Sequence, residues 1–323
     1  MTEFAWSWDD YVQLTGKQTP AKGVRRMWER PEKGTRRQQS KKDWLKFHGG
    51  NTRPYGRLSR FRGAGLHAVA SRATVALRAD HPALLEARTI FPRSVKEPAE
   101  RVLVSGFNNA KTGDRVLKGP WRGCKIYTLT LEERASCPPC CGLWRECYGN
   151  AMPFARRHAH GESLEGRLWH QVPALLSLHR IGIAVRLHVL GDFYSLSYAR
   201  LWCHLLAACN RLHVWGYTAH PEDGEIGGIL AWMNELFPDR CRIRFTVEPG
   251  SPLGPLQATT CWERPHASVI ADGQVCPAQL GATECCGTCA LCWARPMLGR
   301  RIVFLGHGMA GGRHRRRGQG VLL

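Results

Sequence analysis

The stretch AVRLHVLGDFYSLSYARLWCHLLAACNRLHVWGYTAH, residues 184 to 220, decides the fold. Residues 184–193 are a short apolar run that ends in Gly191-Asp192, and they predict a strand. Residues 197–210 repeat apolar side chains on one helical face and predict a helix, and residues 212–220 predict a second strand. A strand, a helix and a strand in this order predict a parallel crossover unit.

The same alternation continues on both sides of this stretch. Further strands are predicted at residues 125–131, 241–250, 267–273 and 301–308, and further helices at residues 164–179 and 225–237. We therefore expect an α/β fold with roughly six parallel strands, for which a doubly wound sheet and a partial barrel are both open. The expected core covers residues 101–308, between a basic, irregular N-terminal arm (1–100) and a basic, disordered tail (309–323).

The composition indicates a globular, cytoplasmic protein. The chain has 323 residues, of which 43% are hydrophobic, enough to bury a substantial core. It has no apolar run of the roughly 18 residues that a transmembrane helix needs, and its first residues are mixed and acidic, unlike a signal peptide. We therefore expect no membrane partner. In a reducing compartment, clusters among the 14 cysteines predict metal binding and not disulfides.

The charge of the chain predicts an anionic partner. The formal net charge is +20 and the pI is about 9.8, so the protein should be attracted to polyanions. Basic runs are concentrated in the N-terminal arm and in the tail. Nucleic acid, bound through these two segments, is a candidate partner or substrate, and the alternative is that the basic runs are only solvated.

The first cysteine loop has the sequence SCPPCCGLWRECYGN, residues 136–150, and follows a predicted strand directly. Its cysteines are Cys137, Cys140, Cys141 and Cys147. One interpretation uses all four thiols. Another uses Cys137, Cys141 and Cys147 to hold a 4Fe-4S cluster and leaves one iron without a protein ligand. A third is a structural zinc site that borrows His158 or His160.

The second cysteine loop lies within VCPAQLGATECCGTCALCW, residues 275–293. Cys286, Cys289 and Cys292 have the close spacing of bacterial ferredoxin loops, and Cys276 is placed to supply a fourth ligand. A 4Fe-4S cluster and a zinc ion both suit these four thiols. Cys285 is the expected spare thiol, because a ligand there would crowd Cys286. The predicted metal-binding loop therefore spans residues 276–292.

Several polar residues follow predicted strands and should meet at the carboxyl edge of a parallel sheet. These residues are the cysteines of the first loop (Cys137 to Cys147), Asp192, the pair Tyr217-Thr218, and Glu248. Asp192 has two interpretations, a functional carboxylate or the N-cap of the following helix. Ser195 fits the capping position better.

Four stretches resemble a family of uncharacterised phage and prophage proteins identified as gene product 88. They are TLTLEERASCPPCCGLWRECYGN, LHVLGDFYSLSYARLW, LHVWGYTAHP and VCPAQLGATECCGTCALCW, and the match covers about residues 105–308. The metal ligands that this resemblance implies are Cys137, Cys141, Cys147, Cys276, Cys286, Cys289 and Cys292. Cys140 and Cys285 are then extra. A phage-encoded protein would act in the host cytosol.

The plan of a strand, a three-cysteine loop and alternating helices and strands is also similar to that of the radical S-adenosylmethionine (SAM) enzymes. This similarity implies a partial (β/α)6 barrel with a 4Fe-4S cluster on the loop after its first strand, SAM as cofactor, and a reductant protein as partner. Gly191 and Asp192 would then contact the SAM amino group, and Glu248 its ribose. The sequence departs from the common motif, because Cys147 follows Cys141 by six positions and not by three.

The sequence therefore leaves two main functions open, and a third, an electron-transfer protein with two clusters, is disfavoured because holding clusters alone does not need so large a fold. The first is a radical SAM-like iron-sulfur enzyme acting on a nucleic acid or a nucleotide. The second is a basic zinc protein that binds nucleic acid without catalysis.

Overall fold

The computed structural model describes residues 76–99, 101–109, 111–261, 273–280, 282–294, 297 and 299–306. The strands within these residues are β1 (Val95–Lys96), β2 (Val104–Ser105), β3 (Lys125–Thr128), β4 (Arg157–His158), β5 (Ile183–Leu187), β6 (Leu212–Thr218), β7 (Cys241–Thr246), β8 (Gln257–Cys261), β9 (Gly273–Val275) and β10 (Arg301–Leu305). The α-helices are α1 (Pro82–Leu85), α2 (Glu162–Leu178), α3 (Leu196–Ala208), α4 (Glu225–Leu236), α5 (Pro277–Leu280) and α6 (Cys286–Cys289).

Eight of the strands form one sheet in the order β2-β3-β5-β6-β7-β8-β10-β9. Only β2 is antiparallel to its neighbour, and the other pairs are parallel. From β3 to β8 the chain crosses this sheet in one direction, and β10 then lies between β8 and β9. Strands β1 and β4 form a separate parallel pair. The α/β fold with a mostly parallel sheet is thus confirmed.

The two faces of the sheet are covered differently. Alternate residues of β5 face opposite sides, so Val185 packs with the residues of α2, α3 and α4 while Ala184 packs on the other side. We call the first side the helical face. The second, the tryptophan face, carries Trp215, against which Trp293 lies edge-on at a centroid distance of 4.8 Å. Trp121 stacks on Trp293 at 5.0 Å, so the C-terminal cysteine segment covers this face.

The predicted strands at 125–131, 184–193, 212–220, 241–250 and 301–308 are confirmed as β3, β5, β6, β7 and β10, each ending earlier than predicted. The three predicted helices are confirmed as α2, α3 and α4. The predicted strand at 267–273 lies outside the described residues except for Gly273, where β9 begins. Strand β8 was not predicted.

Part of the predicted N-terminal arm is described. Residues 76–99 contain α1 and β1, and the Leu77 amide donates to the Arg145 carbonyl at 3.2 Å. These residues therefore pack on the first cysteine loop. Residues 1–75 of the arm and the tail, 309–323, lie outside the described residues. None of the helices in the described residues has the length and the apolar character that crossing a membrane requires.

Candidate functional site

The first cysteine loop is held in shape by Arg134, which precedes it. Arg134 Nε donates to the Trp144 carbonyl at 3.0 Å, and Nη2 donates to Asn150 Oδ1 at 2.6 Å. Its third guanidinium nitrogen, Nη1, donates to the Arg88 carbonyl at 3.1 Å. One buried side chain therefore joins the middle and the end of the loop to the segment that contains α1.

A buried ion pair between Arg157 and Glu133 also supports the first cysteine loop. Arg157 Nε lies 2.5 Å from Glu133 Oε2, and Nη2 lies 3.1 Å from Oε1. Both side chains are fully buried. The remaining donors of Arg157 bind Ser94 Oγ and three carbonyls, those of Gly149, Met152 and Ala155. The pair therefore holds residues 149–155 against the start of the loop. Sequence reasoning missed it, since charged residues far apart in the chain give no pattern.

The thiols of Cys137, Cys141 and Cys147 are each partly buried and lie close enough to interact electrostatically. Burial raises the pKa of the Cys147 thiol to about 12, and the charge of Glu133 adds to the rise. Burial also raises the pKa of Cys137, with Asp192 as the next cause and Cys141 after it. Cys140 differs, because it is exposed and its Sγ lies 3.5 Å from the Ala219 carbonyl oxygen.

Asp192 joins the ends of two neighbouring strands. Its Oδ1 accepts from the Phe193 amide at 2.8 Å, and its Oδ2 accepts from the Ala219 amide, after β6, at 2.7 Å. Burial raises the pKa of this carboxyl group. Ser195 is the N-cap of α3, because its Oγ accepts from the Tyr198 amide at 3.1 Å. The capping interpretation of Asp192 is therefore wrong.

Gly191 and Glu248 also border the first cysteine loop. Gly191 has φ +84°, and a Cβ there would lie 2.4 Å from Ser136 Oγ and 2.6 Å from Leu131 Cβ. Only glycine permits this approach of the loop after β5 to the first cysteine loop. Glu248 is exposed after β7, and its Oε1 lies 3.5 Å from the position of a Cβ on Gly142. Gly191, Asp192 and Glu248 thus border the first cysteine loop at the carboxyl edge.

The second group of thiols lines one pocket on the tryptophan face. Its cysteines are Cys276, Cys286, Cys289 and Cys292. Burial raises the pKa of Cys289 to about 11 and also raises that of Cys286, and the charges of Cys292 and Cys276 add to both rises. Cys285 does not line this pocket. It is instead the N-cap of α6, and its amide donates to Thr288 Oγ1 at 3.0 Å.

As placed, no group of three or more His, Cys, Asp and Glu side chains in the described part of the chain could hold a metal ion. His158 is buried, and burial followed by the charge of Arg156 lowers its pKa to about 4. The His160 ring packs on Tyr194 at 5.0 Å. Among the described residues, no hydrogen bond or ring contact joins either histidine to a cysteine of the first loop.

The chain matches no protein-family model, no curated protein and no solved structure. The geometry of the two cysteine loops is therefore the basis for assigning a function.

Proposed function

We propose that this chain is an iron-sulfur protein of the radical SAM-like kind. A 4Fe-4S cluster would be held by Cys137, Cys141 and Cys147, and a second centre, 4Fe-4S or zinc, by the four cysteines of the second loop. The observation that carries the proposal is the convergence of three partly buried thiols at the carboxyl edge of a parallel sheet, beside Asp192. Active sites of parallel sheets lie at this edge.

The strand order supports a partial barrel. A doubly wound sheet needs the chain to reverse its direction near the middle of the sheet, whereas β3, β5, β6, β7 and β8 follow one another without reversal. Helices α2, α3 and α4 lie on one face, as the outer helices of a (β/α)6 barrel do. We assign the tryptophan face to the interior of that barrel.

The donor set fits an iron-sulfur cluster. Thiolates are the ligands that such clusters use, and three of them leave one iron open to a small molecule. When bound, the cluster would supply single electrons to SAM held at its open iron. Because metal ligands must be deprotonated, the thiols are expected to lose their protons when the cluster binds.

Asp192 and Glu248 would bind the cofactor in different ways. Asp192 lies close enough to Cys137 for its charge to raise the pKa of that thiol, so its carboxylate would meet an ammonium group bound beside the first loop. Glu248 is exposed and has the acceptors that ribose hydroxyls need. The buried Glu133–Arg157 pair would keep the first cysteine loop in place.

The second candidate is a basic zinc protein that binds nucleic acid. The four thiols in one pocket and the net charge of +20 favour it. Its binding segments, the arm and the tail, would be the same ones that present a nucleic-acid or nucleotide substrate to the enzyme.

Metal analysis of protein purified without oxygen separates the two candidates. We expect about four to eight irons per chain with matching acid-labile sulfide, and an electron paramagnetic resonance signal that changes when SAM is added. Zinc without iron would refute the iron-sulfur proposal and favour the zinc protein. Iron with a signal that SAM leaves unchanged would refute the SAM assignment alone.

The ligand set of the first loop is tested by a matched pair of variants. Cys141→Ala should lose the iron of the first loop, because it removes one of three ligands. Cys140→Ala should retain that iron, because its thiol is exposed and lies against Ala219. The measurement is iron and sulfide per chain in both variants. Equal iron loss in the two would contradict the choice of ligands.

A further inference from the structure

Tyr217 joins the sheet to the second cysteine loop. Its hydroxyl donates a hydrogen bond to Cys292 Sγ at an O–S distance of 2.8 Å. Tyr217 lies two residues after Trp215 on β6, so its ring is on the tryptophan face, where it packs edge-on against Phe304 at 5.0 Å. The tyrosine is therefore fixed from the sheet side, independently of the cysteine loop.

Two arginines surround this contact. The Arg186 guanidinium lies 4.6 Å from the centroid of the Tyr217 ring, and its Nη1 donates to the Leu187 carbonyl at 2.7 Å. Arg244 Nε donates to the Cys292 carbonyl at 3.2 Å, and its Nη2 donates to that of Met297 at 3.2 Å. Tyr217 thus binds the sulfur of Cys292, and Arg244 binds its backbone carbonyl. Arg186 places a second positive charge nearby.

Within the described residues, Cys292 is the only cysteine of the pocket whose sulfur accepts a side-chain hydrogen bond from another element of the fold. The sulfur of Cys289 accepts only a local backbone hydrogen bond from Leu291. The four ligands are therefore inequivalent. A hydrogen bond to a ligand sulfur stabilises the reduced, more negative state of an iron-sulfur cluster, and so does a nearby cation.

We propose that Tyr217 sets the reduction potential of the second centre by donating to Cys292 Sγ, with Arg186 stacked on its ring as a fixed positive charge. This inference rests on the proposed function, and within it on an iron-sulfur cluster in the second loop. Tyr217 is a positioning and tuning residue.

The test is a redox titration of the second centre, followed by electron paramagnetic resonance. The background is Cys141→Ala, which removes the first cluster and leaves one signal to follow. Adding Tyr217→Phe should lower the ratio of reduced to oxidised cluster about tenfold at a given potential, which is about 59 mV for one electron. The matched control is Tyr127→Phe, which removes a hydroxyl that bonds to His179 Nε2 at 2.8 Å on the helical face. It should leave the potential unchanged.

A second measurement covers the case in which Tyr217→Phe fails to hold iron. Electron–nuclear double resonance of the Cys141→Ala protein in H₂O and in D₂O should show an exchangeable proton coupled to the cluster. Absence of that proton overturns the inference, and so does an unchanged potential in Tyr217→Phe. Iron in the first loop with zinc in the second also overturns it and leaves the first cluster standing. Zinc without any iron refutes the proposed function itself.

Discussion

Replacing Arg157 by methionine should destabilise the protein strongly. Methionine has a similar length and no charge, so Arg157→Met leaves the Glu133 carboxylate buried without its partner. Removing one member of a buried ion pair costs roughly 3–5 kcal/mol, because the remaining charge is uncompensated. The carbonyls of Gly149, Met152 and Ala155 also lose the Arg157 donor, and the first two keep a hydrogen bond from a backbone amide. In a domain of this size we expect the melting temperature to fall by about 10 °C.

The assay is thermal unfolding followed by circular dichroism, with the metal content of each sample measured beforehand. Arg88→Met is the control, because it removes an exposed pair with Glu86 at 3.3 Å, and such pairs contribute at most about 1 kcal/mol. The double variant Glu133→Gln/Arg157→Met should recover part of the loss, because no buried charge is left. Arg157→Met should also retain less iron in the first loop, since residues 149–155 lose their anchor.

An equal fall in the melting temperature of Arg157→Met and Arg88→Met would refute a strong stabilising role for the Glu133–Arg157 pair. Such a result would mean that the pair is hydrated in solution and does not organise the loop. A double variant less stable than Arg157→Met alone would also refute it, because the cost would then come from lost packing and not from an unpaired charge.

Two further predictions concern stability. Gly191→Ala should lower the free energy of unfolding by more than about 2 kcal/mol, because it places a Cβ at φ +84° against Ser136 and Leu131. Gly166→Ala, in open space within α2, should raise the free energy of unfolding by about 0.5–1 kcal/mol. Urea unfolding checks both, and equal effects would refute the close approach. Burial lowers the pKa of His188 to about 3, from 6.5 in the unfolded chain, so the unfolded state binds more protons and stability falls as pH drops below 6.5. His188→Gln should reduce the loss between pH 7 and pH 5 by about 2 kcal/mol, and an unchanged pH dependence would contradict a buried neutral imidazole.

The central strands were predictable because they are apolar on both sides. Residues of β5 and β6 face either the helices or the tryptophans, so nearly every position is buried, and the sequence is mostly apolar apart from Arg186 and His213. Strand β8 has the sequence QATTC and was missed. Its burial comes from distant partners, for example Arg301, whose Nη2 donates to Gln257 Oε1 at 3.2 Å. Local periodicity contains no information about such a partner.

The candidate site was predictable only in part. Residues after parallel strands meet at one edge whatever their distance in the chain, and this rule was enough to group Asp192 with the first cysteine loop. The contacts that fix the site depend on side-chain packing instead. Tyr217 was predicted to border the carboxyl edge, but its bond to Cys292 spans 75 positions and could not be foreseen.

Part of the positive charge of the chain lies inside the protein. Arg134, Arg157, Arg244 and Arg301 are all buried and donate to backbone carbonyls. Among the described residues, only Arg157 of these four forms an ion pair with a carboxylate. Arg134 opposes the rise in the pKa of Cys147 that burial causes, and Arg244 does the same for Cys292. Buried cations beside buried thiols stabilise thiolates, which are the form that binds metal. These buried arginines count toward the formal charge of +20, but a nucleic acid cannot contact them. Binding of a polyanion therefore has to use the exposed basic residues.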